Sequence, residues 1–447
     1  MASNSSIDDL LEQAQLAAQQ GQWSWLAQCL QQIQTLSRGV PDMTVAWSES
    51  SPDCRYQQLL AFALNVLEMG DFYDRWEITK VFPAFGTVAI PALVEILQDA
   101  DADWELRWFA ARILGECNHP TVIDSLMGLL QAETSQDEEL TAIIAEALAN
   151  LGTPAVAALA ELLTSSTTRL VAVKALAQIH QPEIIPPLLA IVSDPQISVR
   201  MTAIEALSSF SDVRVIPVLF AALDDPVASV RREAVIGVGL RADLVDAGQL
   251  VELLHDRLQD ANLAVRQQAI ITLGRLGTVA AATVLFQNLT HLETPAALHL
   301  EIIRALSWIR VPESLSYLRQ ALLQYTANSS LTREIVVALG RFKQPELQPI
   351  AVETLLDLCY SSRYQGCELE IKQAITVSLG ELGHPQGIEC LIQLMADPDL
   401  SVQLHAIAAL KKLDFGGTSR QYLQTLAHDT SVSPELRQTV ALALQEW

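Results

Sequence analysis

Three segments of the chain align with one another without gaps: ISVRMTAIEALSSFSD from Ile197, ASVRREAVIGVGLRAD from Ala228 and LAVRQQAIITLGRLGT from Leu263. Arg200, Arg231 and Arg266 hold equivalent places in them, 31 and 35 residues apart. A period in this range marks an array of small units, each unable to bury its apolar face alone and stable only when stacked on a neighbour.

The content of one unit follows from what flanks these segments. Each is preceded by an apolar run and an Asp-containing turn: IIPPLLAIVSDPQ, VIPVLFAALDDPV and LVELLHDRLQDAN. The unit therefore reads as a first helix, a turn with Asp-Pro or Asp-Ala at 194, 225, 260 and 397, and a second helix. Pro bars continuation of the first helix, and the turn Asp is expected to cap the second. Within VRxxAIxxL the apolar positions recur at helical spacing and form one stripe, and the adjoining LG supplies a glycine for a left-handed C-cap.

The template extends outward with weaker matches, from AIPALVEILQDADADWELRWFAARILG to GIECLIQLMADPDLSVQLHAIAALKKL, giving roughly eleven helix pairs between residue 90 and Trp447. Half of the residues are apolar and only 6% aromatic, a balance that suits Ala, Leu, Ile and Val packed between helices. The expected fold is all-α: a right-handed α-solenoid of stacked antiparallel helix pairs. Residues 1–38 read as an N-terminal helical hairpin turning at Gly21, and 39–54 as a linker or ordered loop. Residues 55–89 read as an atypical capping pair, and 90–447 as the repeat array.

This unit resembles the HEAT repeat. Its short length and VRxxAxxALG pattern are most similar to the subtype found in cyanobacterial phycobilin lyases and related stacked-helix proteins. The resemblance implies a fold that serves scaffolds, adaptors and a few enzymes alike.

Charge and motifs narrow the function. With 28 Lys and Arg against 52 Asp and Glu, the net charge of −24 repels phosphate backbones, so nucleic acid is not an expected partner. The start, MASNSSIDDLLEQ, lacks the pattern of a secretory signal, and no apolar run approaches the roughly 20 residues of a bilayer span. A cytoplasmic protein without a transmembrane segment is expected.

Six cysteines are scattered without a CxxC, reading as reduced thiols used chiefly as small apolar residues. Cys359 and Cys367, flanking a loop that contains Arg363, are the pair read as candidates for a reactive or ligand-tethering role. None of the eight histidines is followed by Glu, so the paired His-Glu motifs of HEAT-type di-iron hydroxylases are absent, and no metal site is expected. Neither a phosphate loop nor a nucleophile elbow is present. No catalytic residue is assigned.

One stretch stands apart. About a third of the aromatic residues fall between Phe72 and Phe109, in under a tenth of the length. Trp104 and Trp108 are four apart on one helical face, with Arg107 and Arg112 nearby, and Arg75–Trp76 repeats the Arg-Trp pairing one unit earlier. Two readings compete: the rings fill and cover the first layers of the solenoid, or they anchor a partner. In the second, Arg75, Trp76, Trp104, Arg107 and Trp108 form the contact surface, with Trp104 the contact and Trp108 the core residue. The arginines that open the second helices, Arg107, Arg200, Arg231 and Arg266, read as ties to acidic turn residues of their own or the neighbouring unit.

The function expected is that of a non-catalytic adaptor or assembly factor binding a protein or multi-subunit complex, with no cofactor. The resemblance places it in a photosynthetic or phycobilisome context. The alternative implied by the same resemblance is a lyase-like chaperone that holds a linear tetrapyrrole and presents it to a phycobiliprotein cysteine. Trp76, Trp104, Arg107 and Trp108 would then stack on the bilin and pair with its propionates.

Overall fold

A computed structural model describes residues 7–38, 55–99, 101–117, 119–133, 138–325, 327–361, 368–413, 417–429 and 432–445. The proposed linker 39–54, Arg363 and Cys367 lie outside them. Twenty-six α-helices and no strand occur among the described residues, which form an all-α solenoid of helix pairs. From Ile90 onward eleven pairs follow one another, from Ile90–Gln98 with Trp104–Glu116 to Thr418–His428 with Pro434–Gln445. The chain divides into two compact units, one up to Phe210 and one from Ser211.

The second helix of each repeat carries the apolar stripe. In Ile197–Ser208, Val199, Ala203, Ile204 and Leu207 are fully buried, and in Leu263–Leu276 so are Val265, Ala269, Ile270 and Leu273. Each large side chain buried in this way contributes about 1.5–3 kcal/mol. The first helix of several repeats is shorter and opens with a 3₁₀ turn, as where Pro182–Ile184 runs into Ile185–Leu189. Proline sits near these starts, where its missing N–H forfeits no helical bond.

The turn aspartates do not cap the second helices as the sequence suggests. The N-cap positions are Gln196, Val227 and Asn262, two residues later. Asp194, Asp225, Asp260 and Asp397 instead each accept from the backbone N–H two residues on, at 2.8, 2.8, 2.8 and 3.0 Å, and so fold the turn itself. Side-chain capping comes instead from Asn262, which accepts from the Ala264 N–H at 2.9 Å, and from Asp103 and Asp399, which directly precede Trp104–Glu116 and Leu400–Lys412.

The rest of the aspartate's capacity joins one repeat to the next. Arg169 donates to Asp194 at 2.6 Å, Arg231 to Asp260 at 2.7 Å, and Lys372 to Asp397 at 3.0 Å, each base one repeat upstream. The carbonyl of the same turn is held from its own repeat, by Arg200 at Asp194 (2.8 Å), by Arg266 at Asp260, and by Gln403 at Asp397 (2.7 Å). Each of these turns is thus gripped from both sides; of the arginines in register, Arg231 ties to an acidic side chain of the next repeat, while Arg200 and Arg266 hold backbone carbonyls of their own turns.

The LG glycines have two roles. Gly277 and Gly383 end their helices in the left-handed conformation, at φ 68° and 70°. Gly274 and Gly380, one turn earlier, lie inside their helices. A Cβ at Gly380 would come within 2.6 Å of Ala409 Cβ, and one at Gly274 within 3.0 Å of Ala305 Cβ, both on the next second helix. Hydrogen in place of a side chain lets successive second helices approach closely.

At the start of the first unit, the hairpin Ile7–Gln19 and Trp23–Arg38 turns at Gly21 (φ 65°). It packs on Arg55–Met69 and Phe72–Thr79, with Ser24 donating to Asp74 at 2.6 Å and Gln31 to Glu77 at 2.8 Å. The 3₁₀ stretch Phe82–Ala89 then buries Phe82 and Phe85 completely.

Candidate functional site

Two helices build the aromatic patch. Phe72–Thr79 is fixed at its start by a capping box in which Asp71 and Asp74 each accept from the other's backbone N–H. Trp104–Glu116 is capped by Asp103, whose carboxylate takes the Leu106 N–H at 2.7 Å. The two helices pack against each other, and their rings meet over the seam.

Phe109 lies at the bottom, fully buried, with Phe72 at 5.5 Å and Trp108 at 5.1 Å between ring centroids. Above it Phe72 stacks on Trp76 at 6.3 Å and Trp104 on Trp108 at 6.4 Å. The Arg112 guanidinium sits between the two stacks, 4.6 Å from the Trp76 ring and 5.6 Å from that of Trp108. An arginine over two indole faces is held by the ring quadrupoles and arrives at the surface already oriented. It also pairs with Glu116, at 3.6 Å. Beyond it opens a shallow polar groove lined by Arg112, Gly115, Glu116, Asn150 and Leu151.

The residues singled out in the sequence divide into two groups. Trp104 is 51% exposed, Trp76 37%, and Trp108 is half-buried. Arg75 is buried, donating to both carboxylate oxygens of Asp103 at 3.1 Å and to Glu105 at 3.0 Å. The Arg75 guanidinium holds the Asp103 carboxyl below its ordinary range. Arg107 donates to the Leu97 carbonyl through Nε and Nη2, both at 3.3 Å. Arg75 and Arg107 therefore repeat the two-sided grip seen at the later turns and face inward to the array. Trp108 is less buried than a core residue, and Phe109 beside it takes that place.

Three residues complete the patch that the sequence reading left out of its site. Tyr73 is 78% exposed, Phe72 is about half exposed, and Arg112 joins the two stacks. Arg112 follows Trp108 by four residues, a spacing legible in the sequence. That it also meets Trp76 depends on how two helices cross, which no local spacing reveals.

Around the patch, Asp71, Asp101 and Asp103 are exposed. Among the described residues no group of three or more His, Cys, Asp or Glu side chains is gathered to hold a metal ion. No single helix among them is long and apolar enough to cross a membrane.

The family model of HEAT repeats matches residues 90–171, 164–239, 228–295 and 365–445, well over half of the chain. The chain belongs to the HEAT-repeat family. HEAT arrays present extended surfaces to other proteins, and the chain is a repeat scaffold of that kind. The curated proteins give no sequence match.

Among solved structures, Kap95p, studied for its binding to RanGDP and for nuclear import complex assembly, aligns over 98% of this chain and 62% of its own at 14% identity, with a TM-score of 0.51. Importin beta aligns over 98% and 66% at 16% identity, with a TM-score of 0.48. The CpcE–CpcF complex of phycocyanin lyase from Nostoc sp. PCC7120 aligns over 54% and 94% at 22% identity, with a TM-score of 0.29. At 14% identity the likeness to Kap95p concerns the fold alone.

Proposed function

We propose that this HEAT-repeat protein is a non-catalytic adaptor or assembly factor, and that Tyr73, Trp76, Trp104, Trp108 and Arg112 form a contact surface for a protein partner. The observation that carries this is the exposure of Trp104, Trp76 and Tyr73 in a ring cluster whose two stacks are joined by an already ordered Arg112. Large rigid rings and an oriented guanidinium lose little entropy when a partner covers them, which is why such residues dominate binding energy at interfaces. Exposed Asp71 and Asp101 near the patch, in a chain of net charge −24, favour a partner surface bearing Lys or Arg. In this reading the protein works in the cytoplasm, and the repeat subtype supports a photosynthetic or phycobilisome setting.

The test uses the full chain, recovered with its partners from the native cell, as wild type, Trp104→Ala and Tyr73→Ala. Recovery of the partner should fall at least about tenfold for each variant, corresponding to a loss of about 1.4 kcal/mol or more, with helix content unchanged. Equal recovery by both variants would remove the patch from consideration.

A second reading rests on the Trp76–Arg112–Trp108 arrangement, in which a planar group already lies against two indole faces. A linear tetrapyrrole with propionate arms could be held by such rings, with Arg112 rather than Arg75 or Arg107 as the pairing group. Mixing the protein with a bilin and finding a shifted absorption band that Arg112→Ala abolishes would support it. An unaltered spectrum would leave the protein-binding reading alone.

A further inference from the structure

In the second unit, Cys359 in the last turn of Gln348–Tyr360 and Cys390 in Gly387–Leu394 bring their sulfurs to 2.8 Å of each other. They come from the first helices of two successive repeats and are separated by 31 residues. Both are free thiols, and their sulfurs lie within a small side-chain adjustment of the roughly 2.05 Å of a disulfide bond. Cys390 is fully buried, whereas Cys359 is partly accessible, next to exposed Tyr360.

We propose that Cys359 and Cys390 are a reversible oxidation site, closing to an intrachain disulfide when a hydroperoxide reaches Cys359. The Cys359 thiolate attacks the terminal oxygen of hydrogen peroxide. The S–O bond forms as the O–O bond breaks, leaving the sulfenic acid of Cys359 and hydroxide, which the thiol proton converts to water. The Cys390 sulfur then attacks the sulfenic sulfur. The S–S bond forms, the S–O bond breaks, and the hydroxyl leaves with the Cys390 proton as a second water. Two thiols are oxidised by two electrons and one peroxide is reduced to two waters. A thiol supplied by the medium reverses the step by exchange.

The two sulfurs are suited to unequal parts. Cys390 donates its S–H to Cys359, which favours the thiolate at Cys359 and holds it below an ordinary thiol, while the nearby Asp397 and burial oppose this in part. At Cys390 the same hydrogen bond, together with burial, pushes the thiol up. Cys359 is therefore the accessible, more readily ionised attacker, and Cys390 is the covered resolving group. Cys29, by contrast, is buried and held above an ordinary thiol by desolvation alone, and Cys117 is raised by burial with Glu116 beside it. A bond between 359 and 390 would staple two successive repeats together at their first helices.

The experiment treats the reduced full chain with a stoichiometric amount of hydrogen peroxide, blocks remaining thiols with an alkylating agent, and maps peptides by mass with and without a reductant. The expected result is one dominant reducible link joining the peptides of Cys359 and Cys390, at least tenfold over any other cysteine pair, with Cys29 and Cys117 alkylated. In Cys390→Ser the link should vanish and Cys359 should be captured by a sulfenic-acid reagent. The wild-type mapping decides the matter even if that variant folds poorly. A dominant link from Cys359 to Cys54 or Cys367, or Cys359 recovered only as alkylated thiol or as sulfinic acid, would overturn the proposal.

Discussion

Arg231 holds both carboxylate oxygens of Asp260 at 2.7 Å through Nε and Nη2, while its Nη1 donates to the carbonyl of Asp225 in its own turn at 2.8 Å. One guanidinium thus closes its own repeat and grips the next. The pair is largely removed from water, with 15% and 5% of the two side chains exposed. Arg231→Ala would leave a buried carboxylate without its partner and should cost about 3–5 kcal/mol. Arg231→Lys keeps the charge but loses the fork, and its cost should fall between the two. Denaturant midpoints of the three proteins measure this. Arg214→Ala is the control, since the Arg214–Asp212 pair is local to one exposed turn and its removal should leave the midpoint unchanged.

The same rung predicts an acid dependence. Hydrogen bonds from Arg231 hold the Asp260 carboxyl below the ordinary carboxylate range in the folded protein. Its folded value lies below the unfolded value of about 3.9, so the stabilisation is complete above that pH and is lost as pH falls through the folded value. The stability gap between wild type and Asp260→Asn should therefore be full near neutrality and narrow below about pH 4. A gap of unchanged size in acid would mean that ionisation of Asp260 is not its source.

Glycines of the second helices supply a paired test. Gly380→Ala brings a methyl group within 2.6 Å of Ala409 Cβ, so successive repeats must separate, at a cost of about 1–3 kcal/mol. Gly128, inside Pro120–Glu133, has nothing within 4 Å of its added Cβ. There the same substitution should stabilise by about 0.5–1 kcal/mol through helix propensity and reduced unfolded-chain freedom. Thermal midpoints should therefore move in opposite directions. Ala269→Leu, at a fully buried position, should follow Gly380→Ala with a loss of about 1–3 kcal/mol.

These examples mark where the sequence is informative. The apolar stripe of VRxxAIxxL and the Gly-bounded helices are local, and Ala203, Ala234 and Ala269 are buried where their spacing puts them. The roles of the turn aspartates are only half local. Asp260 folds its own turn, but its carboxylate also answers to Arg231 one repeat upstream, an arrangement set by how far one repeat is translated on the next. For the same reason Gly380 reads as a C-cap when it is a contact with the following helix. Cys359 reads as the neighbour of Cys367 when its sulfur meets Cys390. In the aromatic stretch, helical spacing correctly joins Trp104 to Trp108, but the crossing of two helices decides that Arg112 reaches Trp76 and that Arg75 turns inward to Asp103.

Trp104 and Phe109 separate binding from stability on a single helix. Phe109 is fully buried beneath Phe72 and Trp108, and its removal opens a cavity that the surrounding rings cannot readily close. Phe109→Ala should cost about 3–5 kcal/mol of folding stability. Trp104 is about half exposed and stacks on Trp108, so Trp104→Ala should change stability by no more than about 0.5–1 kcal/mol, within the range of one aromatic pair. Partner binding should show the reverse order, with Trp104→Ala losing about 1.4 kcal/mol or more. Thermal unfolding of both variants, measured beside their partner recovery, tests the two orders together. A Trp104→Ala protein that unfolds as early as Phe109→Ala would show that the indole is part of the solenoid's packing. The exposed rings would then serve as the cover of its first layers, and the contact surface would have to lie on other repeats.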